Sequence, residues 1–117
     1  MKIRILVGAM VLCGLSYSYA NGLTQSQFDI EVKSIYNEIE ASQIRLHQSV
    51  DSKQNISLII QRACEYADAL NALERIAQKN IHMAKAKEEA LFAKKMRNSF
   101  ELSFQDLGTS YQKSCKP

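Results

Sequence analysis

From residue 28 onward, large apolar side chains recur every three or four positions. Phe28, Val32, Ile35, Ile39 and Leu46 keep this rhythm, and Ser42 alone interrupts it. A repeat of that period places its members on one face of a helix lying along a neighbour. The spacing predicts a first helix over about 24–48. Its start is marked by Thr24, an N-cap, with Gln27 three residues on to complete a capping box. Leu23 and Phe28 flank that cap as a hydrophobic staple.

The rhythm lapses over Ser49–Asn55, a polar stretch read as a linker, and resumes at Ile56. Ile56, Ile59, Ile60, Ala63, Ala67, Leu70, Leu73 and Ala77 form the buried stripe of a second helix, 56–79. Met83, Ala86, Ala90, Ala93, Met96, Phe100, Phe104 and Leu107 form that of a third, 82–107. Ala63, Ala67 and Ala77 in the second helix predict close helix approach. Gly108 is placed to end the third helix. A tail from Thr109 to Pro117 follows. Between Gly22 and Gly108 there is neither glycine nor proline, so no strong breaker separates the second helix from the third.

Residues 1–20 follow a different pattern. Lys2 and Arg4 precede an apolar run from Ile5 to Leu15, and Ser18-Tyr19-Ala20 offers small residues at the −3 and −1 positions. This is the layout of a secretory signal, cleaved between Ala20 and Asn21. The run falls short of the roughly 20 residues that a transmembrane helix needs. Cys13, preceded by Met10-Val11-Leu12 rather than a small residue, is apolar filler in the signal. The predicted mature chain, 21–117, is one helical domain placed in the periplasm or outside the cell.

Cleavage changes the charge. The whole chain carries 15 Lys+Arg against 12 Asp+Glu. Lys2 and Arg4 leave with the signal, so 13 basic and 12 acidic residues remain, a net charge of +1. That balance argues against nucleic-acid binding. The charge is nevertheless uneven. Lys79, Lys85, Lys87, Lys94, Lys95 and Arg97 cluster in one segment, opposed there only by Glu88 and Glu89. They are the candidate partner-binding face, suited to an acidic protein or to an anionic membrane surface.

Cleavage also leaves two cysteines, Cys64 and Cys115, in an oxidising compartment, which predicts one disulfide. The bond bears on topology. A continuous helix over 56–107 would be about 78 Å long and would put Cys64 about 65 Å from Leu107. The eight residues on to Cys115 reach at most about 29 Å. An intramolecular bond therefore needs a reversal, and Asn80, which tolerates left-handed backbone, is the expected site. The fold class expected is an all-α, up-down bundle of three long helices with a C-terminal tail tied back by one disulfide. The rival is a long-helix homodimer crosslinked between chains. Closing a loop of about fifty residues contributes on the order of 3–4 kcal/mol.

Candidate chemistry is sparse. His47 and His82 lie on separate elements, and neither has a ligand one turn away. Glu38 and Glu40, like Glu88 and Glu89, diverge around a helix and do not form an acid–base couple. Neither a Gly-x-Ser-x-Gly elbow nor a phosphate-cradling glycine loop nor a Cys-x-x-Cys is present. No catalytic, cofactor or metal residues are expected, and the chain is read as a non-enzyme. Tyr36 and Tyr66 sit where a core margin meets water. Asn55-Ile56-Ser57 is a formal glycosylation sequon at the linker.

Leu23-Thr24-Gln25-Ser26-Gln27 resembles the Leu-Thr-x-x-Gln signature of the CpxP-like periplasmic chaperones, which are small, exported and all-helical. That family carries the signature twice. One copy is present here, and the capping box accounts for Thr24 and Gln27, so the chain is not assigned to the family. The functional expectation is a non-enzymatic protein-binding module of the periplasm, foremost an immunity or inhibitor protein against an envelope-acting toxin or lytic enzyme. The alternatives are a periplasmic chaperone or envelope assembly accessory, and a basic-face binder of anionic membrane.

Overall fold

The computed structural model describes residues 22–116. The predicted signal, its cleavage site and Cys13 lie outside the described residues. The order is α1 (Gln25–Asp51), α2 (Ile56–Lys79), α3 (Ala86–Asp106) and α4 (Tyr111–Cys115). The described residues contain no strand. The second and third helices are separate, so the continuous rod is excluded. α2 packs against both α1 and α3, and α4 packs on α2.

α1 begins as its cap predicts. Thr24 Oγ1 accepts from Gln27 N–H at 3.1 Å, and Gln27 Oε1 accepts from Thr24 N–H at 3.0 Å. Leu23 and Phe28 meet in one buried cluster with Ala86, flanked by Ile76 and Met83. The cluster fixes the entry angle of α1 and seats it on the α2–α3 connection. A second cluster joins Ile39 of α1 to Tyr66, Ala69, Leu70 and Leu73 of α2 and Ala93 of α3. A third joins Leu46, Ala63, Ala67 and Phe104, and reaches Cys64, Tyr111 and Cys115. Leu73, Ala77, Ala86 and Ala93 are fully buried. The alanines let the helix backbones approach closely, and few bulky side chains are needed between them.

Two boundaries and one backbone conformation differ from expectation. α1 runs to Asp51, so Ser49 belongs to the helix and not to a linker. Ser49 is buried, and its hydroxyl donates to Arg45 C=O at 3.0 Å, which is why a polar residue continues the helix. α1 then ends in a reversal around Lys53, whose φ is 52°. Lys53 N–H donates to Val50 C=O at 3.0 Å and Gln54 N–H to Ser49 C=O at 3.1 Å, the paired bonds of a Schellman motif. α3 begins at Ala86 and not near 82. Residues 80–85 instead form successive turns, with Met83 N–H on Asn80 C=O and Ala86 N–H on Met83 C=O.

The third difference concerns Asn80, which ends α2 at φ −124° and not in the left-handed region. The left-handed residue of this reversal is Lys85, φ 69°. Asn80 contributes through its side chain, which is buried. Its Oδ1 accepts from Leu23 N–H at 3.2 Å, and its Nδ2 donates to Ile76 C=O at 2.9 Å. Gln25 Oε1 accepts from Ala84 N–H at 3.0 Å. The start of α1 is thus hydrogen-bonded to the α2–α3 turn at two points.

Gly108 ends α3 as expected, at φ 80°, with Gly108 N–H on Gln105 C=O and Thr109 N–H on Phe104 C=O. The tail is not wholly irregular: it forms α4, capped by the Ser110 hydroxyl, which accepts from Lys113 N–H. Cys64 and Cys115 are bonded within the chain, with Cα atoms 5.5 Å apart. The loop so closed spans 51 positions of sequence.

Candidate functional site

The six residues of the expected partner face do not share one surface. α3 buries Ala86, Ala90, Ala93 and Phe104. At 3.6 residues per turn, Lys95 projects opposite that stripe and Lys87 and Lys94 lie on its flank, the three within an arc of about 100°. All three are exposed. Lys79, the last residue of α2, and Lys85, the N-cap of α3, are also exposed but bracket the connection instead. Arg97 turns toward α2, with its Nη2 3.0 Å from Glu74 Oε1.

Two leucines that the buried stripe omits stand in the lysine arc. Leu91 is 59 % exposed and Leu102 61 % exposed. At this helical spacing both fall within the same arc: Leu91 stands one turn from Lys87, Lys94 and Lys95, and Leu102 lies about 10 Å farther along the axis, beside Asn98, Gln105 and Asp106. Phe92, 41 % exposed, adjoins the arc and meets Tyr36 of α1 with ring centroids 5.9 Å apart. The signal for these leucines is in the sequence. Leu91 follows Ala90, and Leu102 stands two positions from both Phe100 and Phe104, so neither fits the stripe that buries their neighbours. α1 likewise exposes Ile30, Ile44 and Val50, but it carries a single lysine, Lys33.

α3 is held on the bundle from the core side. Phe100 packs edge-on against Tyr66 at 4.8 Å and against Phe104 at 5.4 Å between ring centroids. Phe104 in turn meets Tyr111. The Tyr111 hydroxyl donates to Asp68 Oδ1 at 2.6 Å, and the disulfide follows four residues later. The Tyr36 hydroxyl donates to Glu89 Oε1, a bond from α1 to α3. Burial, with the Glu89 hydrogen bond and charge added to it, holds the Tyr36 phenol well above its ordinary pKa. Burial also raises Tyr66, and burial followed by the Asp68 bond raises Tyr111.

The remaining candidate groups form surface ion pairs, cap helices or face solvent. Glu38 pairs with Arg45 at 2.9 Å, and Arg45 also reaches Glu65 of α2 at 3.2 Å. Arg62 completes the network on Glu65 at 3.1 Å. The Glu38 hydrogen bond is the largest of the influences that raise the Arg45 pKa. Glu89 is engaged by Tyr36, so neither glutamate pair converges on a common point. His47 and His82 are exposed and far apart in sequence. Among the described residues there is no group of three or more His, Cys, Asp or Glu placed to hold a metal ion. None of the described helices is long and apolar enough to cross a membrane. Asn55 caps α2, with its side chain accepting from Leu58 N–H at 2.9 Å.

No family model, curated protein or solved structure matches this chain.

Proposed function

We propose that this protein is an exported, non-enzymatic binding module, three helices running alternately up and down, and that the outer face of α3 docks an acidic protein partner. One observation carries the reading: Leu91 and Leu102 are more than half exposed on the same arc as Lys87, Lys94 and Lys95. Leaving a leucine in water forgoes much of the roughly 1.5–3 kcal/mol that its full burial provides. A partner surface that covers both leucines and meets the lysines with carboxylates recovers it, and the lysines steer the encounter. Helix–helix packing and a covalent tie hold that face rigid, which lowers the ordering cost of association. Within this class, an immunity or inhibitor protein against an envelope-acting toxin or lytic enzyme is the reading that size, predicted compartment and rigidity favour.

The test is a photo-crosslinking amino acid introduced at Leu91 or Leu102 in the producing cell, with Gln61 on the far side of α2 as the control. The expected outcome is one discrete protein adduct from either leucine position and none from Gln61. In the Lys94→Glu/Lys95→Glu background the adduct falls several-fold. No adduct, or the same ladder from all three positions, overturns the reading. Crosslinks to phospholipid alone transfer the face to an anionic membrane surface.

A further inference from the structure

A second polar feature lies on the opposite flank of α3, where Arg97 meets α2. Glu74 accepts from Arg97 Nη2 through one oxygen, and its other oxygen accepts from Gln78 Nε2 at 3.3 Å. The carboxylate is therefore engaged on both sides. Arg97 Nε nevertheless remains buried without a hydrogen-bond partner. These groups edge an open cleft of about 360 Å³ that Asn71, Arg75 and Lys116 complete. Asn71, Glu74, Arg75 and Gln78 follow one another at the spacing of a single α2 face.

The cleft has more donors than acceptors. Three cations face one carboxylate, and neither Arg75 nor Lys116 forms an ion pair among the described residues. Asn71 and Gln78 line the cleft as well, with Gln78 Nε2 already donating to Glu74. The group that fits such a site is a small acceptor-only anion. The exposed Arg75 guanidinium suits planar or tetrahedral oxygens, which it can engage through paired N–H bonds, and Arg97, already held by Glu74, adds a second positive charge. Lys116 reaches the cleft because it follows Cys115, which the bond to Cys64 and the Tyr111–Asp68 hydrogen bond hold against α2.

We propose that this cleft is an oxyanion site for a phosphoryl or carboxylate group, with Arg75, Arg97 and Lys116 as its cationic contacts. It is separate from the outer face of α3 and stands or falls independently of it. The test is titration of the ¹⁵N-labelled protein with inorganic phosphate and, in a parallel arm, with succinate, at constant ionic strength. Saturable shifts are expected at the side-chain amides of Asn71 and Gln78 and at the Lys116 amide. Arg75→Gln and Lys116→Gln, both at exposed positions, each weaken binding about five- to tenfold, because each removes a charge-assisted contact. Lys94→Gln, on the outer face, leaves it unchanged. Tighter binding of phosphate assigns the site to a phosphoryl ligand, and tighter binding of succinate to a carboxylate. Shifts that never saturate, or that respond equally to Lys94→Gln and Arg75→Gln, overturn the proposal.

Discussion

Asn80 shows what a single buried polar residue does in this bundle. It is 4 % exposed and satisfies two backbone groups, Leu23 N–H and Ile76 C=O. Asn80→Ala strands the Leu23 donor beside Phe28, and we expect a loss of about 1–3 kcal/mol in denaturant unfolding. A loss near zero would mean that the contact is dispensable. That this residue stands at the reversal was legible from spacing and disulfide reach. Its role was not, because a side chain bridging to residue 23 depends on α1 returning to that turn. The tyrosines carry a second prediction at this scale. Folding raises the pKa of Tyr36, Tyr66 and Tyr111, with burial the first cause in each. The neutral phenols thus favour the folded state. Their contribution is complete below the unfolded value of about 10 and is lost as pH climbs through the folded values. Ultraviolet titration of tyrosinate should therefore run late and coincide with loss of helix by circular dichroism. Ionisation near pH 10 with the helices intact would contradict this.

The elements were legible to different degrees in their bodies and in their ends. Periodicity located all three long helices, and the Thr24–Gln27 box and Gly108 marked two ends correctly. Both ends of α2 also fell where expected, whereas the end of α1 and the start of α3 were obscured because the chain reverses on lysine. Lys53 and Lys85 take positive φ where glycine or asparagine is the usual choice, so no compositional signal marks either turn. α4 was missed for a related reason: five residues are too few for a periodic pattern. The interior of the expected stripes also needed the structure. Ile56 and Leu107 lie at stripe ends and are exposed, whereas Tyr66 and Ala69 widen the buried face of α2, which packs against two helices. A left-handed lysine at the end of α1 carries a steric cost that glycine avoids. Lys53→Gly should stabilise the protein by about 0.5–1 kcal/mol, less the extra entropy of unfolded glycine, and Lys53→Val should destabilise it. Chemical denaturation of the pair decides this, and equal midpoints would remove the argument.

At the scale of the whole molecule, the Cys64–Cys115 bond joins the first third of α2 to the chain end and thereby sets α3 and α4 against it. The reach argument made this the most informative inference available from the sequence. It required a break between residues 64 and 107, although no local breaker was present. The candidate site was less legible. The lysines were visible as a run, but only the helix placement separates Lys87, Lys94 and Lys95 from Arg97, brings Leu91 among them and puts Leu102 farther along the same arc. For a loop of this length the chain-entropy model assigns the bond about 4 kcal/mol. A Cys64→Ser/Cys115→Ser variant should lose about that much in urea unfolding, and its α4 amides should lose hydrogen-exchange protection before those of α2.

The central claim is that the chain is exported, trimmed and closed on itself by one covalent bond. Peptide mapping by mass spectrometry of the protein recovered under thiol-blocking, non-reducing conditions tests it most directly. The account predicts an N-terminus at Asn21 and a crosslinked pair of peptides containing Cys64 and Cys115 from a single chain. Recovery of the protein with Met1 retained, with both thiols alkylated, or as a disulfide-linked dimer would contradict it.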